Sequence, residues 1–497
     1  MGNSVSGPGK SASTLDDGSS YLNVLGVRGN GRSGDLFYRY DMEGLLTDDK
    51  NYDIQRISMD RFNLSAVTGD HTLDVGDIHE ILSPYTLTAP VKGASYKYLG
   101  GASPFIPEVA LVFGEAAPRW DNLWGGAKTD ILNRRVQGSR FQFNFAPPLS
   151  VGVDILDSKD TAPVHPWSTL YDNRVYAMDF RYRPLKGVVL AGASAFNDTT
   201  TRSADRQTRD NLDGTAMAIK TIGQKDRVRV LMEYERVTPD FKNPLDSATP
   251  DREKAKFSCR FKFDKNIHLY TNLLWYQDNL DGRKPLGQTD VYLAETALGF
   301  NRPFRRANGF IKFSYIKEIA ERESLEIRHD DVINLNYRDQ LWIVETDTNV
   351  GFNVYDYDQT APLNKEEIRF NTRLHSVFGN DSIRLKPNLF LGGWTLADEL
   401  SIHDNRATQY AMGMGIDLPV RGVTTDISLG INRIDRESGY DTTKSFGKVY
   451  VDWQPDFLFR LHQMILYFSG AVNDFDFSDA NDNFREESLL AGIKIKY

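Results

Sequence analysis

The sequence lacks the features that two common classes of protein need. It has 497 residues and one cysteine, Cys259, so an intrachain disulfide and a cysteine-based metal site are excluded. Cys259 falls on the apolar side of its segment, which favours inert packing over reactivity. No stretch approaches the ~18 consecutive apolar residues of a membrane-spanning helix, and the mean hydropathy is −0.45. A helical membrane protein is therefore excluded.

Basic residues are fewer than acidic ones, 59 against 68. The formal net charge is −9 and the pI is near 5.5. Binding of nucleic acid uses a basic face, so we expect no nucleic-acid partner. Aromatic residues, in contrast, make up 12% of the chain, too many for a disordered protein. By length alone the chain would hold about three ordinary soluble domains at ~150 residues each.

The first twenty residues lack the basic and apolar regions of a signal peptide. Their Gly/Ser-rich composition predicts a flexible tail over 1–20. Gly2 and Ser6 have the spacing of a myristoylation motif, but a processed mature chain with an added start methionine is the simpler interpretation.

Alternation with a period of two is the main signal in the rest of the chain. Between Arg227 and Glu235, apolar and charged residues alternate with Leu231 as the one exception. Successive side chains of a strand point to opposite faces, so each such segment has one apolar and one polar face. The pattern recurs at 36–43, 174–183, 256–263 and 423–432. Convincing amphipathic helices are absent.

Connections between these segments alternate in length. Short turns are predicted at Pro147-Pro148 and Asp264-Lys265, and long polar loops at 158–173, 238–251 and 474–483. Such alternation is typical of transmembrane β-barrels, which have tight periplasmic turns and longer external loops. A barrel carries apolar residues only on its outer face, which explains the low mean hydropathy.

The last strand ends on an aromatic residue at the C-terminus. Ile493, Ile495 and Tyr497 share its apolar side and resemble the assembly signal of bacterial outer-membrane β-barrels. The usual final residue of that class is Phe, so Tyr497 is a departure. The resemblance covers 130–497 well and 1–130 loosely, and no motif identifies a specific family. It implies location in the bacterial outer membrane, with the lipid bilayer and the barrel-assembly machinery as partners.

The predicted fold is all-β: a single transmembrane antiparallel β-barrel of about 24 strands, with 22–26 allowed. Residues 21–130 would form N-terminal strands that can include internal or plug-like elements, and 131–497 the barrel proper. Pro387 falls inside a predicted strand and suggests a bulge. Aromatic girdles are expected at both ends of the strands. They include Tyr182, Phe263 and Trp453 on the short-turn side, and Trp394, Phe475 and Phe484 on the long-loop side.

No motif indicates catalysis. Gly29-x-Gly31-x-x-Gly34 matches the letters of a dinucleotide fingerprint, but a strand pattern follows where the motif needs a helix. We interpret it as a glycine-rich turn. The eight histidines show no metal-ligand spacing, and neither a G-x-S-x-G elbow nor a Walker loop is present. The Ser/His or Asp/His pair of outer-membrane phospholipases and proteases has no visible constellation. We therefore predict that the protein is not an enzyme and uses no cofactor.

Charged residues on the polar sides of the strands are the candidate functional residues. Charged rings set the selectivity of pores, whereas charges of mixed sign can also pair across strands and solvate the wall. The candidate pore-lining residues are Arg181, Arg183, Arg227, Arg229, Glu233, Glu235, Lys256, Arg260, Lys262, Arg369, Arg373 and Asp426. A Ca²⁺ site would need several carboxylate oxygens, and its candidates are Asp474, Asp476, Asp479 and Asp482.

Four functions fit these features. The first is an outer-membrane channel that forms a wide aqueous conduit for a hydrophilic solute or an exported polymer. The second is a barrel that sheathes a periplasmic or lumenal partner such as a multihaem cytochrome; the haem would belong to the partner, since the chain has no C-x-x-C-H. The third is a TonB-dependent receptor with its plug in 1–130, and the fourth a soluble all-β binding protein.

Overall fold

The structure is a computed structural model. Its described elements are strands and short 3-10 helices, the latter at Lys10–Ala12, Pro419–Arg421 and Ala480–Asp482. The residues it describes are 2–15, 17–50, 53, 55–100, 104–117, 119–120, 133–146, 148–160, 169–203, 209–285, 287–303, 309–322, 325–357, 364–398, 404–437, 439–455 and 463–496. Within these ranges, no helix has the length and apolar character needed to cross a membrane.

The described residues form 28 strands of an antiparallel sheet. The strands are β1 Gly2–Ser6, β2 Gly18–Ser19, β3 Leu22–Ser33, β4 Leu36–Thr47, β5 Ile57–Thr68, β6 His71–Ile78, β7 Val91–Tyr98, β8 Glu108–Ala116, β9 Arg134–Ala146, β10 Leu149–Asp160, β11 Thr169–Tyr182, β12 Val188–Ser203, β13 Arg209–Lys225, β14 Val228–Val237, β15 Arg252–Lys262, β16 Ile267–Asp278, β17 Thr289–Asn301, β18 Phe310–Arg322, β19 Leu325–Leu341, β20 Val344–Tyr357, β21 Lys365–Ser376, β22 Phe378–Gly379, β23 Arg384–Asp398, β24 Asn405–Leu418, β25 Val423–Arg436, β26 Thr442–Trp453, β27 Gln463–Phe477 and β28 Phe484–Lys496.

The predicted all-β antiparallel class is confirmed, but the predicted strand number of about 24 was too low. Each predicted strand corresponds to an observed one, and β1, β2, β3 and β22 were missed. Two of these four lie in the segment 1–20, for which we expected a flexible tail. There, β1 pairs with β28 from Gly2↔Leu489 to Ser6↔Arg485.

The chain divides into two compact units. One of them, which we call unit A, comprises Tyr21–Cys259 and Leu273–Val291. Within it, strands β3 to β14 form an antiparallel meander in which each strand pairs with its neighbours in the chain.

The two faces of unit A differ in chemistry. On β11, Tyr176 and Met178 point to one face and are 45% and 53% exposed, and Met232 on β14 is 53% exposed on the same face. We call this the apolar face, and the opposite one the polar face. From Leu149 to Ile155 along β10, the apolar face spans about 20 Å at ~3.3 Å per residue. The exposed ion pairs Asp157–Arg174 and Lys159–Asp172 follow directly toward the long loop.

The second unit, unit B, comprises Met1–Ser20, Arg260–Asn272 and Tyr292–Tyr497. Its strands β18 to β28 form a second antiparallel meander, with β1 added next to β28. Its apolar face carries Leu429, Met412 and Ile493, which are 54%, 63% and 63% exposed. The predicted alternation of Ile427, Leu429 and Ile431 against polar neighbours is confirmed on β25.

Pro387 is accommodated without the bulge that we expected. On one side it pairs with Met414 of β24. On the other, β21 ends at Ser376 and β22 begins at Phe378, and the register His375↔Asn388 continues unshifted as Phe378↔Leu385. The ladder is therefore interrupted where proline lacks its N–H, and its register is kept.

Candidate functional site

Two long connections of unit A fold back onto its polar face. Residues 79–90, between β6 and β7, and residues 238–248, after β14, pack together there, and we call them the loop cluster. Tyr85, Leu87, Phe241 and Leu245 are at most 2% exposed. Burying each such side chain contributes about 1.5–3 kcal/mol relative to leaving it in water. The polar loop that we predicted at 238–251 is thus anchored by apolar side chains.

Small residues on the polar face make room for the loop cluster. The cross-strand row beneath it runs through Ala177, Ala195 and Ala216, each at most 6% exposed. Glycines occupy the points of closest approach. A Cβ at Gly214 would lie 2.1 Å from the backbone N of Phe241, and one at Gly138 would lie 2.7 Å from Cδ1 of Leu82.

Asn243 joins the two loops. Its side-chain amide donates to the carbonyl oxygens of Tyr85 at 2.9 Å and of Thr86 at 2.7 Å, and its Oδ1 accepts from Asn173 on β11 at 3.3 Å. The backbone amide of Thr88 donates to the carbonyl of Leu245 at 2.9 Å. These bonds satisfy backbone groups that the loops would otherwise bury without partners.

Arg140 ties the first loop to the strands. Its Nη1 donates to the carbonyl oxygen of Leu82 at 2.7 Å, while the same guanidinium binds Asp154 at 2.9 Å and Asp179 at 2.6 Å. The Asp154 side chain is fully buried. One cation therefore compensates two carboxylates and holds the loop through a third contact.

A second charged group lies at the other edge of the loop cluster. Tyr85 Oη donates to Glu235 Oε1 at 3.1 Å, and Lys254 Nζ lies 2.8 Å from Glu235 and 3.3 Å from Glu233. Burial and the neighbouring Glu235 carboxylate raise the pKa of the Tyr85 hydroxyl above its usual value. Tyr85 is therefore a neutral donor across the physiological range.

Asp246 in the second loop is the unusual carboxyl of the cluster. Burial, together with the charge of Glu235, raises its pKa to about 8, although the amide of Ala248 donates to its Oδ1 at 3.1 Å. Its Oδ2 is buried without a hydrogen-bond partner. A carboxyl in this setting is neutral at neutral pH because the charged form would lose its hydration.

Most of the predicted pore-lining residues lie on the polar face. By strand register or alternation these are Arg181, Arg229, Glu233, Glu235, Lys256, Arg260, Lys262, Arg369, Arg373 and Asp426. The structure brings together Glu233, Glu235 and Lys254, and pairs Arg369 with Glu367. The remaining residues are dispersed over both units and do not form one cluster.

Arg183 and Arg227 are exceptions, and their placement on strands was wrong. β11 ends at Tyr182, so Arg183 lies in the connection 183–187. β13 extends to Lys225, and Asp226, with φ of 45°, forms the turn together with Arg227. Because β13 continues through Gly223 to Lys225, Arg227 falls in the turn and not on the polar face of a strand.

The four aspartates proposed for Ca²⁺ have separate partners. Asp474 is 3.6 Å from Arg485, Asp476 accepts from Asn483, Asp479 caps the turn Ala480–Asp482, and Asp482 accepts from Tyr440. Among the described residues, no group of three or more His, Cys, Asp or Glu side chains could hold a metal ion. The structure thus does not assemble the predicted set.

The C-terminal motif is described only in part. Ile493 is on the apolar face of β28, whereas the side chain of Ile495 and all of Tyr497 lie outside the described residues.

The glycine motif is divided between a strand and a turn. Gly29 and Gly31 lie in β3, where the rings of Tyr40 and Tyr38 cover them, and Gly34, with φ of 60°, is in a turn. Our interpretation of the whole motif as a turn was therefore wrong for its first two glycines.

Aromatic residues on the long-loop side differ from the girdle that we expected. Trp394 pairs with Arg369, and Phe475 stacks on Phe484 at 4.5 Å, all on the polar face of unit B. On the short-turn side, Tyr182 and Trp453 are both 39% exposed on the apolar face. The named short-turn residues thus lie on the apolar face, as a girdle requires, and the named long-loop residues do not.

Neither a protein-family model nor a curated protein sequence matches this chain. Solved structures similar to it include a bacterial polysaccharide outer membrane secretin, at 11% identity and a TM-score of 0.29, covering 65% of this chain and 91% of that one. The outer membrane protein opdK from Pseudomonas aeruginosa has 11% identity and a TM-score of 0.29, with 66% and 94% covered. A BenF-like porin from Pseudomonas fluorescens Pf-5 has 13% identity and a TM-score of 0.29, with 73% and 96% covered.

The antiparallel meanders with one exposed apolar face agree with the all-β class that the sequence predicts.

Proposed function

We propose that the protein is an outer-membrane channel that conducts a hydrophilic solute along the polar faces of its strands. The observation that carries this proposal is the separation of the two faces in both units. Large apolar side chains such as Met178 and Met412 are more than half exposed on one face, which suits contact with lipid. Ionic and amide side chains cover the other.

The exposed charges on the polar face favour a role in transport over a purely structural role. In unit B it carries Arg338, which binds Asp347 at 2.6 Å, and the pair His375–Glu345 at 3.0 Å, both groups with exposed members. Hydrated charges of both signs suit passage of a polar solute. The loop cluster adds a steric element, because it covers part of the polar face of unit A with ordered side chains.

The same observations disfavour the alternative functions. A TonB-dependent receptor needs a plug domain, but the described residues between Leu22 and Ala116 mostly form paired strands of the meander. A soluble binding protein would leave the exposed apolar face without a cover. A barrel that sheathes a cytochrome, or one that exports a polymer, would need the polar face to be open to a large cargo, which the loop cluster disfavours in unit A.

Conductance measurement tests the proposal. Purified protein in a planar bilayer is expected to give stepwise ion conductance, and its migration on a gel is expected to depend on heating. A protein that is monomeric and soluble without detergent, or that inserts and never conducts, contradicts the proposal. Co-purification of a haem protein with a non-conducting barrel would favour the sheathing alternative.

A further inference from the structure

Two phenyl rings lie flat over glycines on the polar face of unit B. A Cβ at Gly430 would be 2.4 Å from Cζ of Phe446, and one at Gly392 would be 2.9 Å from Cζ of Phe390. Each ring therefore covers the backbone of a glycine and turns its other side away from the sheet. Both phenylalanines are partly exposed.

The two rings share one row of the sheet. The register runs Phe390↔Ala411, Ala411↔Gly430 and Gly430↔Phe446 across strands β23 to β26. At ~4.8 Å between strands, three spacings separate their Cα atoms by about 14 Å. The Phe446 ring extends over Gly430 toward Phe390, and Ala411 projects little between the two rings. A short chain of rings can contact both phenyl groups.

Hydrogen-bonding side chains occupy the rows on either side. Asn388, Ser428 and Lys448 share one neighbouring row, and Gln409 lies in the other. The Lys448 ammonium lies over the Phe446 ring, 5.7 Å from its centroid, so a donor stands next to that ring. The row thus combines flat apolar surfaces with donors and acceptors at their edges.

Packing alone accounts for such ring–glycine pairs on the apolar face. There Phe180 covers Gly192, and its free side meets the lipid-facing surface. On the polar face the free side meets water, and exposing apolar area to water costs free energy. A ligand with an apolar face and polar edges would remove that cost.

We infer that the row from Phe390 to Phe446 binds a neutral oligosaccharide. A pyranose ring presents C–H groups on its faces, which stack on a phenyl ring, and hydroxyl groups around its edge, which bond to Asn388, Gln409 and Lys448. Neutral sugars fit because the charges around the row are of both signs: Lys448 and Asp426 lie in adjoining rows, and Arg373, next to Phe390, is opposite Asp347. This inference rests on the proposed function, since a solute must reach the polar face.

Block of ion current by sugars tests the inference. Maltohexaose and cellohexaose serve as neutral probes and hexagalacturonate as an anionic one, added to the protein in a planar bilayer. At least one neutral probe is expected to block the wild-type current. Phe390→Leu and Phe446→Leu keep apolar bulk but lose the flat ring, so each is expected to weaken binding about tenfold, within the range of an aromatic stacking contact.

Phe180→Leu is the matched control, because it removes the ring of the same motif on the apolar face; its sugar block is expected to equal that of the wild type. Calorimetry on detergent-solubilised protein separates the two proposals: binding without conductance overturns the channel and keeps the site. The inference is overturned if neither neutral probe binds, if both leucine variants bind as the wild type does, or if hexagalacturonate binds most tightly.

Discussion

The guanidinium of Arg140 holds the carbonyl oxygen of Leu82 at 2.7 Å. This bond links β9 to the loop 79–90, which connects β6 and β7. Because Arg140 also compensates Asp154 and Asp179, the electrostatics of the strands and the position of the loop depend on the same side chain.

Arg140→Ala is expected to destabilise the protein and free the first loop. Removing one partner of a buried ion pair leaves an uncompensated charge and costs about 3–5 kcal/mol. Here two carboxylates lose their cation at once. Denaturant unfolding in detergent measures the loss of stability, and single-channel recording is expected to show larger or noisier openings.

Arg174→Ala is the control for Arg140. Arg174 forms an ion pair with Asp157 at 2.8 Å, but both side chains are more than 40% exposed. Exposed pairs contribute about 0–1 kcal/mol, so stability and conductance should stay near those of the wild type. Equal effects of the two substitutions would show that Arg140 has no special relation to the loop.

Asn243→Ala is expected to separate the two loops while leaving the strands folded. The carbonyls of Tyr85 and Thr86 lose their donor, and a buried polar group left without a partner costs about 1–3 kcal/mol. Cleavage by trypsin after Lys242 reports the change. In the folded loop cluster the Lys242 carbonyl accepts a hydrogen bond from Thr199 at 3.2 Å, so the peptide bond after Lys242 is held against the strands. Faster cleavage is expected in the variant.

Asn211→Ala serves as the control here, since Asn211 makes an exposed bond with Thr200 at 3.1 Å. Its rate of cleavage after Lys242 should match that of the wild type. A rate in Asn243→Ala that is no faster than this control would contradict the role given to Asn243.

The strands could be predicted because alternation is a local property of the chain. β3 escaped prediction since Gly26, Gly29 and Gly31 dilute its alternation, and the rings of Tyr38 and Tyr40 that complete its surface come from the next strand. Similarly, the tight turn after β19 uses Trp342 at φ of 62°, where turn rules favour Gly or Asn.

The loop cluster could not be predicted, for a different reason. Phe241 and Leu245 stand in a segment rich in Pro, Asp and Asn, which is typical of an exposed loop. They are buried because alanines and glycines from four other strands leave space at the same height of the sheet. That coincidence depends on register across the strands, and no local pattern contains it.

Gly214→Ala is expected to displace the second loop. The added Cβ would meet backbone atoms of Phe241 at 2.1 and 2.3 Å, which no change of rotamer can relieve. Overpacking of this kind costs about 1–3 kcal/mol. Gly223→Ala, on the same strand, is the control, because nothing lies within 4 Å of its Cβ. Unfolding and tryptic cleavage should change in the first variant and not in the second; unchanged behaviour of both would contradict the close packing.

Asp246 is expected to make the loop cluster sensitive to pH. Its pKa rises from 3.8 in the unfolded chain to about 8 in the folded one. Between these values the folded state binds the extra proton, so the contribution of Asp246 to the free energy of unfolding falls as the pH rises through this window. Above about pH 8 the charged carboxylate of Asp246 is repelled by that of Glu235, which also accepts a hydrogen bond from Tyr85 on the first loop. Lys254, close to Glu235, offsets part of this repulsion.

Tryptic cleavage after Lys242, corrected for the pH dependence of trypsin on a reference peptide, should therefore accelerate from pH 7 to 9 in the wild type. Asp246→Asn keeps the shape and cannot ionise, so its corrected rate should stay level; an acceleration equal to that of the wild type would assign the pH dependence to another group.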